Sequence, residues 1–388
     1  MLGSLGTGEM SQTLVSFVTC ASNDGYGGNF IWRLETALNY LSDNLDKIGR
    51  LKEAEVIIAD WGSEIPLNSV ISLSPAARLI TRFVLVPPLL ATKLDGDSQF
   101  VTSMAVNTAV RRSCGDYVID MNGDVLLTRK MLDKIFQIID NSHDHVIPVN
   151  RSMLMSRRKN IPYTYVNNCP NLKEIDWFIR CVGSLLPSDL PLAVRNLPFY
   201  YYPAGFLLMS RWLWEDCRGH DEELRHYGFQ DTDLIRRVNS KFPCVYMDVV
   251  GLTVFHLDHR RGSGGFKPDR PINIDKIENI YCPNDETWGL RSYDLEKVAS
   301  FVNAEGNDIL GREVEHTVPF TRALVFAVTK VVAAWFISQI GVWPRRAWLV
   351  CKEVQSNPFR LWVSVLLRVW TEWRNRQRGR RINEVLKD

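Results

Sequence analysis

Strand-like and helix-like stretches alternate through residues 1–150, and that alternation restricts the fold more than any other feature of the chain. Residues 14–20 (LVSFVTC), 55–60 (EVIIAD), 82–86 (RFVLV), 117–121 (YVIDM) and 145–149 (HVIPV) are short apolar runs of the kind that fill buried strands. Between the first two, Phe30, Leu34, Leu38 and Leu41 recur at helical spacing, and residues 100–112 and 131–139 read as further helices. Strands separated by helices predict an α/β fold with a parallel, doubly wound sheet. Such sheets hold ligands outside the carboxyl ends of their strands. Two of these runs carry acids there: Asp60 ends one, and YVIDMNGD places Asp120, Asn122 and Asp124 at the tip of another.

The pattern changes after Asn150. Residues 151–198 read as basic and polar turns around one helix near 172–186. A strand is expected at 199–209, a short helix at 212–216, a loop leading into a helix over 219–238, and strands at 245–250 and 253–257. RRGSGGFKPDR, residues 260–270, has the glycine and charge of a loop. Three regions follow: 12–150, 151–315, and a helical, tryptophan- and arginine-rich extension over 316–388.

That extension holds six of the twelve tryptophans. Residues 323–342 are apolar enough to suggest a membrane span, but Lys330, Ser338 and Gln339 interrupt them, and a mid-span lysine costs about 2.5–3.5 kcal/mol. Trp362, Leu366, Val369 and Trp373 form one helical face, and five arginines lie between Arg374 and Arg381. An aromatic amphipathic helix beside a basic run suits an anionic membrane surface; a helical appendage packed on the rest of the chain or on a second subunit is the other reading. The amino terminus has neither a basic n-region nor an apolar h-region, and the eight cysteines include no CxxC pair. Both features predict a cytoplasmic protein without a disulfide framework or zinc site, one able to work at the inner face of a membrane. Nucleic acid is not among the expected partners.

Four short segments carry chemistry. Gly25-Tyr-Gly27-Gly28-Asn-Phe30 lies between a strand and a helix, but its sixth position is Phe30 and Asp60 lies too far downstream for a dinucleotide fingerprint. Asp60 either caps the following turn or accepts hydrogen bonds from a base or ribose. Asn122-Gly-Asp124 is either a turn or a site where Asp124 binds a hard divalent cation. Asp231 and Asp233 open a helix in GFQDTDL, where one carboxylate can cap and the other act as general base. His256, in VFHLDH with His259 behind it, is either a core histidine or a metal ligand.

In this order, over about residues 12–258, the segments resemble the GT-A glycosyltransferases, the inverting family-2 enzymes and the related galactosyltransferase-type C-terminal region being nearest. SFVTCASNDG resembles the first strand and nucleotide loop, IIADWGS the nucleoside-contacting strand, and AVNTAVRRSCGDYVIDMNGDV the family's helix and DxD strand. AGFLLMSRWLWEDCRGHDEELRHYGFQDTDLIRRV resembles the acceptor segment with its acidic pair, and VFHLDH the histidine strand. The resemblance implies a GT-A (nucleotide-diphospho-sugar transferase) fold with a mostly parallel central sheet plus the helical extension, with 12–150 as the nucleotide-sugar-binding half and 151–315 as the acceptor-binding and catalytic half. It implies a hexosyl- or N-acetylhexosaminyl-transferase of polysaccharide biosynthesis. A UDP-sugar is the donor it suggests, with a glycan or lipid-linked hydroxyl as acceptor. Carried over residue by residue, Asp60 and Asn23 contact the nucleoside and Asn107 lies near the donor. Asp124 and His256 hold Mn²⁺ or Mg²⁺, and Asp231 deprotonates the acceptor. Two positions depart from the pattern: Asn122 replaces the first aspartate of DxD, and Gln230 replaces the acid before the base. They motivate the rival reading, a GT-A binding module that has lost transfer.

Overall fold

The computed structural model describes residues 13–141, 148–186, 204–226, 228–247, 252–259 and 280–299. In chain order the elements are β1 (Val15–Ala21), α1 (Phe30–Lys47), β2 (Ala54–Trp61), α2 (Leu67–Val70), α3 (Pro75–Ile80), β3 (Thr81–Val86), α4 (Pro88–Asp95), α5 (Thr102–Arg112), β4 (Tyr117–Met121) and β5 (Val125–Leu126). They continue with α6 (Arg129–Asp140), β6 (Met153–Ile161), α7 (Tyr163–Val166), α8 (Leu172–Val182), β7 (Ala204–Ser210), α9 (Arg211–Cys217), α10 (Gln230–Asn239), β8 (Cys244–Tyr246), β9 (Val254–Leu257) and β10 (Lys297–Val298).

The expected α/β architecture is present. The strands run in the order β10-β3-β2-β1-β4-β7-β6-β9-β5, with β8 beside β6. The middle, β3-β2-β1-β4, is parallel throughout. From β4 outward the sheet becomes mixed: β7 is antiparallel to both β4 and β6, and β5 is antiparallel to β9. Alternation along each strand sends side chains to two cores. Val15, Phe17, Val56 and Ile58 pack with Leu34, Leu38, Leu41 and Leu45 of α1. Val18, Ile57, Ala59 and Val118 pack on the other face with Val106, Ala109 and Val110 of α5 and Trp214 of α9. Each such buried aliphatic side chain is worth about 1.5–3 kcal/mol, so one row of α1 suffices to fix that helix on the sheet.

The structure corrects one strand. Val149 begins a 3-10 turn, Val149–Arg151, rather than ending a strand; residues 145–147 of that expected strand lie outside the described set. The next strand is β6, in a segment that reads from sequence as turns. Its second half, SRRKN, hides a strand because only Met153–Ser156 and Ile161 are buried there. The parallel reading of the first half therefore stops at β4.

Backbone contacts divide the chain into two compact units, Met1–Ile175 with Ser188–Val314, and Asp176–Pro187 with Glu315–Asp388. Every site residue discussed below belongs to the first. The membrane-span and tail-helix expectations, and the 260–270 loop, fall outside the described residues. Among the described residues, no helix is long and apolar enough to cross a membrane.

Candidate active site

β1, β2 and β4 end side by side, and their tips carry Cys20, Asp60 and Asp120. Beyond β4 the chain turns at Asn122, whose carbonyl accepts from the Val125 amide at 3.1 Å, and enters β5. The turn leaves Asn122 exposed and buries Asp124. Strand register then supplies Asp124's neighbours. Val125 pairs with His256 across the β5–β9 ladder, and the Leu257 amide donates to the Asp124 carbonyl at 3.0 Å. His256 in turn pairs with Asn160 of β6.

The result is a cluster of one carboxylate and two imidazoles, with donor atoms of Asp124, His256 and His259 all within 4.8 Å of one another. His256 Nε2 lies 3.4 Å from Asp124 Oδ1, and His259 Nε2 lies 3.8 Å from Oδ2. His256 Nδ1 is 2.8 Å from Asn160 Oδ1 and donates to it, which turns Nε2 toward Asp124. A ring nitrogen and a carboxylate oxygen both present lone pairs, so a proton or a cation must lie between them. That donor set, with its second hydrogen bond fixing the ring, fits a divalent cation. Sequence reasoning named Asp124 and His256 for this role and left His259 unassigned.

Arg33 completes the surroundings. It is fully buried on α1 and its Nε is 3.3 Å from Asp124 Oδ2. Its other nitrogens donate to the Tyr26 carbonyl at 2.8 Å, to Asn29 Oδ1 at 3.1 Å and to the Gly28 carbonyl. One guanidinium therefore fastens the glycine turn to the tip beyond β4. A Cβ on Gly27 would stand 2.5 Å from His259 Nδ1, so the turn also backs that histidine. Burial opposes the charge of Asp124, but His256, Arg33 and His259 outweigh it and hold its carboxyl well below the usual carboxylate range.

On the β2 side, Asp60 is buried and both its oxygens accept hydrogen bonds, Oδ1 from the Ser63 hydroxyl and Oδ2 from the Leu67 amide at 2.7 Å. Burial pushes its carboxyl up against the pull of those two donors. The Asn23 amide donates to Ser63 Oγ at 2.8 Å and its side chain to the Ile65 carbonyl at 3.0 Å. Asn23, Ser63 and Asp60 thus form one network joining the β1 and β2 loops.

A second cluster lies around Asp120. His220 Nε2 is 2.9 Å from Asp120 Oδ2, and a carboxylate oxygen of Asp231 lies within 4.8 Å of the donor atoms of both. Asp231 sits in the first turn of α10, after Gly228 and Phe229, both at positive φ (78° and 72°). Gln230 Nε2 donates back to the His226 carbonyl at 2.8 Å. The two helix-start acids divide as follows: Asp233 is fully buried against Arg237 Nε at 2.6 Å, and Asp231 stays partly exposed. Phe229, at the cap position, makes no side-chain cap.

Asn107, the residue that the resemblance puts near the donor, lies on α5. It is fully buried, its Oδ1 accepts from the His220 amide at 2.8 Å, and its Nδ2 donates to the His220 carbonyl at 2.8 Å and to Glu222 Oε1 at 3.0 Å. It clamps the loop that carries His220. The sequence thus brings Asp124 and His256 together at one cluster, Asp231 to another, and Asn23 with Asp60 to a third place. Arg33, Asp120 and His220 were not assigned; an arginine on the buried flank of a helix and a histidine directly after Gly219 were the available signals.

No family model and no curated protein sequence matches the chain. Among solved structures, S. aureus TarS 1-349 is similar with a TM-score of 0.38 and 11% identity, covering 63% of this chain and 60% of that one. The same protein in complex with UDP-GlcNAc aligns with a TM-score of 0.38 and 12% identity, covering 66% and 62%. For longer TarS, with a TM-score of 0.38 and 11% identity, the figures are 63% and 37%. The chain therefore spans less than two thirds of each of these structures.

Proposed function

We propose that the protein is an inverting, metal-dependent glycosyltransferase that moves a sugar from a nucleotide-diphosphate donor to a glycan or lipid-linked hydroxyl. One observation carries the reading. β4 and the turn after it feed two acids, Asp120 and Asp124, into separate polar clusters beyond the parallel part of the sheet, each with donor atoms close enough for a cation, the first also holding a partly exposed carboxylate and the second two histidines. Asp124, His256 and His259 would hold Mn²⁺ or Mg²⁺, which when bound offsets the charge of a departing diphosphate. Arg33 lies beside them and adds positive charge to the same place. Asn23, Asp60 and the exposed Asn122 are the groups proposed to meet the nucleoside. Asp231 accepts the proton of the acceptor hydroxyl as oxygen attacks the anomeric carbon from the face opposite the leaving group, and Gln230 is the neighbour that orients the acceptor.

The test uses the full chain with UDP-sugars, UDP and Mn²⁺. Asp231→Asn is expected to lower transfer by about 10²–10⁴ while UDP affinity holds, the usual contribution of a positioned base. Asp124→Asn is expected to remove the Mn²⁺-dependence of UDP binding. Transfer retained in Asp231→Asn would refute the base. UDP binding with no transfer by the unaltered chain would favour the binding-module reading that Asn122 and Gln230 motivate.

A further inference from the structure

His220 is built into its position with more backbone support than any reading of its sequence suggests. Asn107 brackets it, binding both its amide and its carbonyl. Asn284 Nδ2 donates to the same carbonyl at 2.6 Å, and Arg237 Nη2 donates to the preceding Gly219 carbonyl at 2.9 Å. Gly219 itself has φ 68°, and a Cβ there would stand 2.3 Å from Asn107 Oδ1. The ring packs near Trp214, with centroids 5.7 Å apart, and only 2% of the residue is exposed. Its Nε2 meets Asp120 at 2.9 Å, while Nδ1 is buried with no partner among the described residues. A proton placed at Nδ1 therefore breaks no hydrogen bond among the described residues.

We propose that His220, held by Asp120, is a positioning residue whose ring stands beside Asp231 and stabilises the charge of that carboxylate as the base. The inference rests on the reading of Asp231 given above. The groups facing the ring decide its charge. Asp120 of β4 touches it, and Asp231 and Arg237 of α10 act on it with opposite signs. The Cys20 thiol of β1 faces the same two carboxylates, whose charge, after burial, pushes it up, so it stays neutral there. Asp221 and Glu222 follow His220 in its loop. For the ring itself, burial disfavours the charge, but the hydrogen bond to Asp120 and the charges of Asp120 and Asp231 prevail over it and over Arg237, leaving the imidazole above the ordinary histidine value. Interaction between two titrating groups is a single energy, so what Asp231 does to His220, His220 does to Asp231.

That equality sets the experiment. The full chain, with its seven histidines carrying ¹³C at Cε1, is titrated by NMR, the His220 signal being the one lost in His220→Gln. His220 should titrate above the free value of about 6.5 and move down by about 1 unit in Asp231→Asn, the lower end for an opposite charge at this range. Asp120→Asn should also lower it. In transfer assays, His220→Gln should move the acid limb of kcat/KM up in pH by the same amount, with donor KM unchanged. A His220 signal that does not move in Asp231→Asn, or an acid limb that does not move in His220→Gln, overturns the proposal. Asp231 is partly exposed and its substitution leaves the core intact, so the NMR result stands even where His220→Gln fails to fold. A chain that transfers no sugar at all refutes the function, and the titration still decides the pairing.

Discussion

Replacing Asn107 by alanine distinguishes a loop clamp from a donor contact. The side chain makes three hydrogen bonds, and the structure says what each partner keeps after they are lost. The His220 carbonyl retains Asn284, and Glu222 Oε1 retains the Gly289 amide at 2.7 Å. The His220 amide retains nothing among the described residues, and a buried donor left unpaired costs about 1–3 kcal/mol. Each of the two replaceable bonds contributes about 0.5–1.5 kcal/mol net, so the variant should lose roughly 2–6 kcal/mol. Urea unfolding, followed by tryptophan fluorescence, reads the loss as a lower midpoint at unaltered slope. Because Asn107 and Asn284 hold the same carbonyl, Asn107→Ala with Asn284→Ala should cost more than the sum of the two singly. A midpoint that barely moves while UDP affinity falls would refute the clamp and return Asn107 to the donor.

Two further outcomes follow from the geometry. Gly27→Ala should weaken Mn²⁺ binding and destabilise the chain by more than Gly28→Ala, because both glycines have positive φ but only the Gly27 Cβ meets His259. The backbone term alone is about 1–2 kcal/mol, so equal effects of the two substitutions on stability and on Mn²⁺ would remove His259 from the turn's role. Glu222 sits in the clamp with its carboxyl pushed up, chiefly by burial and against the hydrogen bonds from Asn107 and Gly289. A carboxyl raised in the folded state binds its proton more tightly there, so the charged form destabilises above the folded value and the loss is recovered as pH falls toward the unfolded value of about 4.3. Glu222→Gln, whose oxygen can accept both hydrogen bonds, should therefore raise Tm at pH 7 and lose that advantage near pH 4. A gain that persists unchanged at pH 4 would assign the effect to something other than charge.

The sequence discloses those parts of the fold whose signal is local. β1, β2 and β4 are mostly apolar runs, and α1 and α5 repeat their buried residues at helical spacing, so each declares itself locally. β6 does not, because Arg157, Arg158, Lys159 and Asn160 are only half-buried and read as a turn. The site divides the same way. Asp60, Asp124 and Asp231 stand at strand ends or a helix start, where local pattern makes an acid conspicuous. Arg33 meets Asp124 across 91 positions and His220 meets Asp120 across 100, and no spacing rule connects residues that far apart. His259 lay in plain view beside His256, yet only the register of β9 against β5, together with the glycine turn behind it, brings it to Asp124.

The two clusters share a strand but not a side of the sheet, and this separation follows from backbone geometry. Val118 packs with α5 and α9, so by alternation Asp120 faces that side as well, where α10 and the His220 loop meet it. Ile119 and Met121 pack with α1. Had the strand continued, residue 124 would again have pointed with Asp120. The turn at Asn122 and Gly123 prevents this: a Cβ at Gly123 would stand 3.2 Å from Leu34 of α1, so the tip lies over the α1 side and delivers Asp124 to Arg33. Each carboxylate thereby acquires its own cationic partner, Arg33 for Asp124 and the His220 ring for Asp120. The two carboxylates thus sit in different surroundings, Asp124 beside a guanidinium and two imidazoles and Asp120 beside one imidazole and the Asp231 carboxylate. A single five-residue strand and one glycine turn provide both.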